Sequence, residues 1–485
     1  PGGTTRVAVR YRFDESSILD LGLFDPTLEP FPSRTGFRGW SGSARREVYV
    51  AADAATPGYL PGSVPAGRWQ VVLGLARIAP EGCRYRVEIE TDDLPRPTAA
   101  PSGPVGVARR EPGWYRGDLQ SHTFHSDAKG SPEALVRVAR ERGLDFLAVT
   151  DHNTTSHHRT LAELSSADLL LIPGEEITTY RGHANVWGLA DWADFRIEGD
   201  GDLERLLEDV HARGGLFSVN HPKATPDCIG CDWAYEVPEG ADSLEAWQGP
   251  WAFQNWESLA RYDALLKRGR RLTLLGGSDR HQPGYPDPDP PFLQVGSPTT
   301  WLELAELSVP AVLDAIRAGR AFVSESPAGP RLELSVGEVG IGRVGMGGSA
   351  AGGEPLEALA RVRGAQGDLL HWVGPTGVVR EALIETDDFT DAWTWAARGG
   401  YLRLEVVAGA SLPSFEAELR GLERAGKFPR QLSSAAILKY PWRRALSSPV
   451  YLEQETVGPV PLTRDETRRA NVRYSGGRHR EKTPS

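Results

Sequence analysis

The chain has 485 residues, more than one typical domain, with 40% hydrophobic and 25% charged residues, the balance of a globular protein with a real core. Its formal net charge of −11 argues against a nucleic-acid partner, and no apolar run of about 18 residues is present to span a bilayer, so neither nucleic acid nor membrane is expected. Three cysteines (Cys83, Cys228 and Cys231) make no disulfide framework, which points to the cytoplasm; the chain opens at Pro1 with no charged-then-apolar leader, and a processed N-terminus would hide one.

Residues 1–92 alternate polar and apolar (RVAVRYRF, REVYVA, RWQVVLGL, YRVEIE) between turn clusters, which predicts an antiparallel β-sandwich. Residues 93–113 are rich in Pro, Gly and Ala and read as a linker. Then comes YRGDLQSHTFHSD (Tyr115 to Asp127), which packs Asp118, His122, His125 and Asp127 into one short segment. Imidazole and carboxylate are the donors of hydrolytic zinc, manganese and iron sites.

Four segments downstream repeat one grammar: FLAVTDH, LLLIPGEE, LFSVNHP and LTLLGGSDRH. Each is a short apolar run that stops in His, Asp or Glu, as buried parallel strands do. Helical patterns closed by glycine precede three of them: Ser131-Pro132 to Gly143, Leu203 to Gly214, and Leu259 to Gly269. In a βα barrel the loops after the strands converge on one face, so these polar ends would share one mouth. The barrel is placed at 114–330. Strand patterns return over 331–462 (RLELSV, ALARVRG, YLRLEVVAG), predicting a second β-rich domain, and the Arg-rich 463–485 reads as a disordered tail.

The motif order DL-x-x-HT-x-x-SD, TDH, PG-x-E, GH, NHP and GSD-x-H, from Gly117 to His281, resembles the polymerase-and-histidinol-phosphatase (PHP) superfamily of metallohydrolases. The flanks GWYRGDL and GHANVWG and the β-rich arm resemble its carbaryl-hydrolase-like (CehA/McbA-type) branch. The resemblance implies an α/β fold, a distorted TIM-like βα barrel flanked by β-sandwich-like domains. It also implies two or three divalent ions (zinc, manganese or iron) in a shared mouth. His122, Glu176 and Asp279 would hold the first; Glu176, as a bridge, would join His183 and His221 in the second; Asp127, His152 and His281 would hold the third. Gln120 stands where the family has the first histidine of an HxH pair, so the first site is expected to bind weakly. Asp118 or His125 could compensate, although His125 reads better as a polar loop residue. Glu175 competes with Glu176 as the bridge and is the poorer match to the PG-x-E spacing. Asp151 is expected to orient a ligand, and His157 and His158 to be solvated.

A metal-dependent hydrolase follows, a phosphoesterase first and an aryl carboxylate or carbamate ester hydrolase second, with a small-molecule ester as substrate. A non-catalytic binding module is the third reading. Lys223, Arg280 and Arg181 adjoin ligand positions and would suit a phosphate oxygen, or would form salt bridges instead. Glu176, Asp279, Lys223 and Arg280 are the expected catalytic residues. The segment from Asp227 to Trp256 carries Trp233, Tyr235, Trp247, Trp251, Phe253 and Trp256, and reads either as a wall for an aryl group or as packing. Cys228 and Cys231 supply two of four zinc ligands, so a loop-closing disulfide or two free thiols are expected there.

Overall fold

The computed structural model describes residues 2–97, 106–224, 228–282, 291–338, 342–351, 355–396, 399–424, 426 and 434–453. Part of the expected linker and the whole expected tail at 463–485 lie outside the described residues.

The first 92 residues form two three-stranded antiparallel sheets. One has the order β4 (Glu47–Ala51), β1 (Arg6–Phe13), β6 (Tyr85–Asp92); the other has β3 (Phe37–Gly42), β2 (Ile18–Phe24), β5 (Gln70–Arg77). Alternation sets the register: Val7, Val9 and Tyr11 of β1 are buried with Val48 and Val50 of β4 and with Leu19, Leu21 and Leu23 of β2.

A 15-stranded mixed sheet follows. Its strands are β7 (Gly113–Asp118), β8 (Phe146–Val149), β9 (Leu170–Thr179), β10 (Gly182–Trp187), β11 (Leu216–Val219), β12 (Ser243–Gln248), β13 (Thr273–Gly277), β14 (Thr299–Leu304) and β15 (Ala321–Ser324), then β20 (Leu369–Gly374), β21 (Gly377–Leu383), β23 (Gly400–Val407) and β24 (Arg443–Ser447). The order is β13-β12-β11-β10-β9-β8-β7-β14-β15-β24-β23-β20-β21, with β18 (Ser349–Ala350) and β25 (Val450–Leu452) paired alongside β23. Every strand of the four-segment grammar is present; β8, β11 and β13 are buried along their length, and β9 all but at Pro173, Thr178 and Thr179. Gly117 lets β7 lie against β8, since a Cβ there would come within 2.1 Å of the Phe146 ring.

The helices cover the strands as their caps foretell. Ser131 accepts a bond from Ala134 N at 3.2 Å and opens α1 (Pro132–Glu141), whose Leu135, Val136 and Ala139 pack on Leu147, Val149 and Leu171. The short α2 (His158–Leu164) follows β8; α3 (Asp200–Ala212), α4 (Asn255–Lys267) and α5 (Val309–Arg317) precede β11, β13 and β15.

Three features differ from the expected parallel βα barrel ending at residue 330. The β9–β10, β10–β11, β7–β14 and β14–β15 pairs are antiparallel, while β7–β8, β8–β9, β11–β12 and β12–β13 are parallel. Only Tyr180 and Arg181 separate β9 from β10, too short a link for a crossover. No strand ladder among the described residues joins β13 to β14; Thr300 Oγ1 instead accepts from Gly276 N at 3.0 Å and donates to Gly276 O at 2.7 Å. Nor does the sheet stop at residue 330. Val323 of β15 pairs with Leu446 of β24, so strands from the C-terminal part continue it. That part also holds an antiparallel sheet of order β17 (Gly342–Gly345), β16 (Arg331–Glu338), β19 (Leu356–Arg363), β22 (Asp388–Trp395), and the helices α6 (Leu412–Arg424) and α7 (Ser434–Ile437).

Candidate metal centre

The polar residues that end or follow β7, β8, β11 and β13 come together, joined by Glu176 from within β9 and His183 from within β10. Asp118 at the end of β7 is fully buried and ties three segments: its carboxylate accepts from Gln120 N at 3.2 Å, Ser278 N at 3.0 Å and Gly296 N at 2.8 Å. Asp118 therefore braces the loops and does not replace a missing ligand. His125 is likewise engaged elsewhere, its Nδ1 lying 2.7 Å from Ser156 Oγ.

Glu176 sits at the centre with its two oxygens facing different neighbours. Its Oε2 lies 3.3 Å from His122 Nε2, which is 2.9 Å from Asp279 Oδ1. Its Oε1 lies 3.4 Å from His183 Nδ1 and 3.5 Å from His221 Nε2. A third group adjoins: His152 Nε2 and His281 Nε2 are 3.2 Å apart, and Asp127 Oδ1 is 3.6 and 3.3 Å from them. Four donors about 2.0–2.2 Å from a zinc-sized ion at tetrahedral angles lie roughly 3.3–3.6 Å from one another. The observed spacings suit such an ion, and donor atoms of His122, Glu176 and Asp279, of His152, Glu176 and His183, and of His122, His152 and His281 each fall within 4.8 Å of one another.

Buried polar atoms are nearly always hydrogen-bonded, yet Gln120 Oε1, His122 Nδ1 and His183 Nε2 lack a bond, while Glu176 Oε2 has His152 Nδ1 at 2.9 Å as well as His122. Backbone strain gathers at the same place: His221 (φ 26°), Asp279 (φ 51°) and Asn153 (φ 50°) are non-glycine residues in left-handed or neighbouring conformations. Such strain persists only where surrounding contacts impose it, and it concentrates at functional sites.

Charge points the same way. Burial would push Glu176 up, but His152 and His183 outweigh it and hold the carboxylate well below its usual range. Asp279 is buried too, and its bond to His122 with the charge of His281 keeps it low; Asp127, whose side chain is half exposed, is kept low against partial desolvation by His152 and His281. In return, against the opposing effect of burial, Asp127 and Asp279 lift His281 to about 10, and Glu176 and Glu245 lift His221 to about 9. The carboxylates are anions that demand positive charge, which protons or divalent cations can supply.

Gln120 does not face the cluster as a ligand would. Its Nε2 donates to Glu176 Oε1 at 2.9 Å, alongside Asn220 Nδ2 at 2.8 Å. Glu175 points the other way: its Oε2 accepts from Ala193 N at 2.7 Å, and burial pushes its carboxyl up to about 8. The folded protein thus keeps a proton on Glu175 that the unfolded chain loses near pH 4.5, so this group's contribution to stability falls as pH rises from there to about 8. Glu175→Gln is expected to remove that fall, which is worth on the order of a few kcal/mol. Thermal unfolding between pH 5 and 8 checks this; an unchanged slope in the variant would contradict it.

Other expected residues occupy different surroundings. Lys223 is buried, with Nζ 2.7 Å from Gln248 Oε1 and 2.9 Å from Asn255 Oδ1. Arg280 stands between Asp279 and His281, its Nη2 donating to Gln282 O at 3.0 Å and its carbonyl accepting from His122 N at 3.0 Å. Arg181 stacks over Tyr235, 4.4 Å from the ring. Asp151 does not orient the His152 ring; it accepts from Thr123 N at 2.8 Å and Thr123 Oγ1 at 2.6 Å and so fixes the loop after His122. His157 and His158 are not solvated: the Nε2 of each lies 3.1 and 3.0 Å from Gly174 O. Trp233, Tyr235, Trp247 and Trp251 are buried. Trp247 and Trp251 line a cavity of about 260 Å³ with Phe292, Phe415 and Trp442, and none of the clustered His, Asp or Glu is among its lining residues. Cys228 and Cys231 form a disulfide, and Cys231 O lies 2.8 Å from His221 Nδ1, anchoring that ring. Sequence reasoning gave no role to Asn220, although it is the first residue of the NHP motif, and missed Glu245, Gln248 and Asn255, which gave no signal.

No family model matches the chain. Over 161 residues it is 48% identical to the 5'-3' exoribonuclease Rnm of Escherichia coli (strain K12), covering 31% of this chain and 45% of that protein. The Rnm of Salmonella typhimurium (strain LT2) is 46% identical over 65 residues, 13% of this chain and 22% of that protein. The chain thus spans less than half the length of the curated relatives it matches. Among solved structures it is similar to a Bacteroides vulgatus two-domain protein described as containing a "predicted PHP-like metal-dependent phosphoesterase", with 18% identity, TM-score 0.35, and coverage of 64% of this chain and 95% of that one. A metal-dependent phosphoesterase described from Bifidobacterium adolescentis shares 20% identity at TM-score 0.25, over 35% of this chain and 89% of its own.

These relatives overturn the expected partners. Proteins named as exoribonucleases act on RNA, so neither the exclusion of nucleic acid nor the small-molecule ester substrate stands. The inference from charge failed because −11 is a sum over the whole chain and does not measure the field where a phosphate would land.

Proposed function

We propose that this chain is a PHP-type metal-dependent phosphoesterase that hydrolyses phosphodiester bonds of RNA from the 5′ end. The observation that carries the reading is Glu176, one buried carboxylate whose two oxygens face two separate donor sets. Support for RNA comes from the exoribonuclease relatives. His122, Glu176 and Asp279 would hold one cation; Glu176, His183 and His221 a second; Asp127, His152 and His281 a third. When bound, divalent ions supply Lewis acidity and a water acidic enough to attack at neutral pH.

The chain's own residues set the geometry. Gln120 and Asn220 donate to Glu176 Oε1 and fix the carboxylate plane. Cys231 O fixes the His221 ring, and Asp279 O lies 2.9 Å from His281 Nδ1, leaving Nε2 toward His152. Arg280, which stands between Asp279 and His281 in the chain, would be the cation to meet a phosphate oxygen as negative charge builds on it.

RNA bearing a 5′-phosphate, incubated with the metal-loaded protein, is expected to release mononucleotides from that end. Intact RNA, with hydrolysis of carboxylate esters instead, would overturn the substrate assignment. Arg280→Ala is expected to lower kcat/KM on RNA by about 1.5–3 kcal/mol, the worth of a charge-assisted hydrogen bond; an unchanged kcat/KM would remove Arg280 from phosphate binding. Because an amide stands at Gln120, elemental analysis after dialysis is expected to find about two ions per chain. Gln120→His is expected to raise retention. Three firmly held ions in the unaltered protein would show that the first site is complete as it stands.

A further inference from the structure

We infer that Lys223 and Gln248 form a buried positioning pair that fixes the orientation of the Asp279 carboxylate, so that Lys223 serves the site without touching substrate. This rests on the reading of Asp279 as a metal ligand.

Lys223 is 4% exposed. The Lys223 N–H groups face oxygens, Gln248 Oε1 at 2.7 Å, Asn255 Oδ1 at 2.9 Å and Gln248 O at 3.4 Å, and on the far side of Gln248 a carboxylate oxygen of Asp279 can only accept. The amide of Gln248 therefore has one allowed orientation: oxygen toward Lys223 and nitrogen away. That nitrogen faces Asp279 Oδ2 at 2.8 Å. Flipping the amide would set donor against donor at Lys223 and acceptor against acceptor at Asp279, two penalties at once in a buried place.

With Oδ2 committed to Gln248, Asp279 turns Oδ1 to His122 Nε2 at 2.9 Å. Asn255 is locked in the same manner. Its Oδ1 also accepts from Gln248 N at 2.8 Å, and its Nδ2 donates to Gln248 O at 2.9 Å and Pro250 O at 2.8 Å. The chain from Lys223 through Gln248 to Asp279 thus transmits one direction of hydrogen bonding to a carboxylate whose backbone is already strained at φ 51°.

The test titrates metal-free full-length protein with Mn²⁺ and with Zn²⁺ and reads ions bound and dissociation constants. Gln248→Leu and Lys223→Met are each expected to weaken one bound ion about 10–100-fold, the usual effect of losing a partner that orients a ligand. The double variant is expected to bind no more weakly than Gln248→Leu within about twofold, because Lys223 acts only through Gln248. Metal affinity unchanged in Gln248→Leu would overturn the inference, as would a Lys223→Met variant that keeps its metal while kcat/KM on RNA falls. Thermal unfolding of each metal-free variant reports folding. If Lys223→Met does not fold, Gln248→Leu decides alone, since Lys223 keeps Asn255 Oδ1 and the Gln248 carbonyl. Unaltered protein that binds no ion would fault the metallohydrolase reading itself; unaltered protein that binds ions beside unaffected variants faults only this inference.

Discussion

Glu176→Gln is expected to lower kcat on RNA by at least about 10³-fold, at the upper end of losses for removing a single preorganised electrostatic contact. The magnitude follows from the double role of this side chain. Its Oε2 faces His122 and its Oε1 faces His183 and His221, so an amide at 176 disturbs two donor sets together. Gln120 and Asn220 both donate to Oε1, which forces an amide oxygen to stay there and puts an NH₂ group toward His122. Glu175→Gln supplies the comparison, since that carboxyl bonds Ala193 N and points away. Equal losses in kcat and in bound metal for the two variants would show that the bridging role belongs to neither carboxylate alone.

The second large effect is expected at Asp279. Its two oxygens face opposite sides, Oδ1 toward His122 Nε2 and Oδ2 accepting from Gln248. Asn at this position must keep its oxygen on Gln248 and so puts an NH₂ group where the anionic Oδ1 stood toward His122. Asp279→Asn is expected to reduce kcat by roughly 10²–10³-fold, with loss of one bound ion per chain by elemental analysis. Full metal content and near-normal turnover in this variant would mean that the carboxylate charge of Asp279 is not used.

Most of the clustered residues were legible because they stand at the end of short apolar runs, and His122 and Asp127 because they crowd one short segment; strands with converging ends bring such residues together wherever the chain between them goes. His183 was legible only through motif order, as it lies within β10 and not past a strand end. The antiparallel β9–β10 pair was hidden by burial: a strand covered on both faces shows no alternation from which direction could be read. The strand β12 was concealed in the same way, its SLEAWQ reading as part of an aromatic insert. Lys223 and Gln248 were illegible for another reason. Nothing local in a sequence marks a lysine that will be buried, and the orientation of an amide is set by partners that only the fold assembles. His157 and His158 went astray similarly, because carbonyl acceptors such as Gly174 O leave no trace in residue identity.

The central claim is that buried His, Asp and Glu side chains hold the ions on which phosphodiester hydrolysis depends. Its most direct test is turnover of 5′-phosphorylated RNA by protein stripped with a chelator and verified metal-free by elemental analysis, then resupplied with manganese or zinc. The account predicts no turnover by the stripped protein and its return on resupply, whereas full turnover by verified metal-free protein would contradict it.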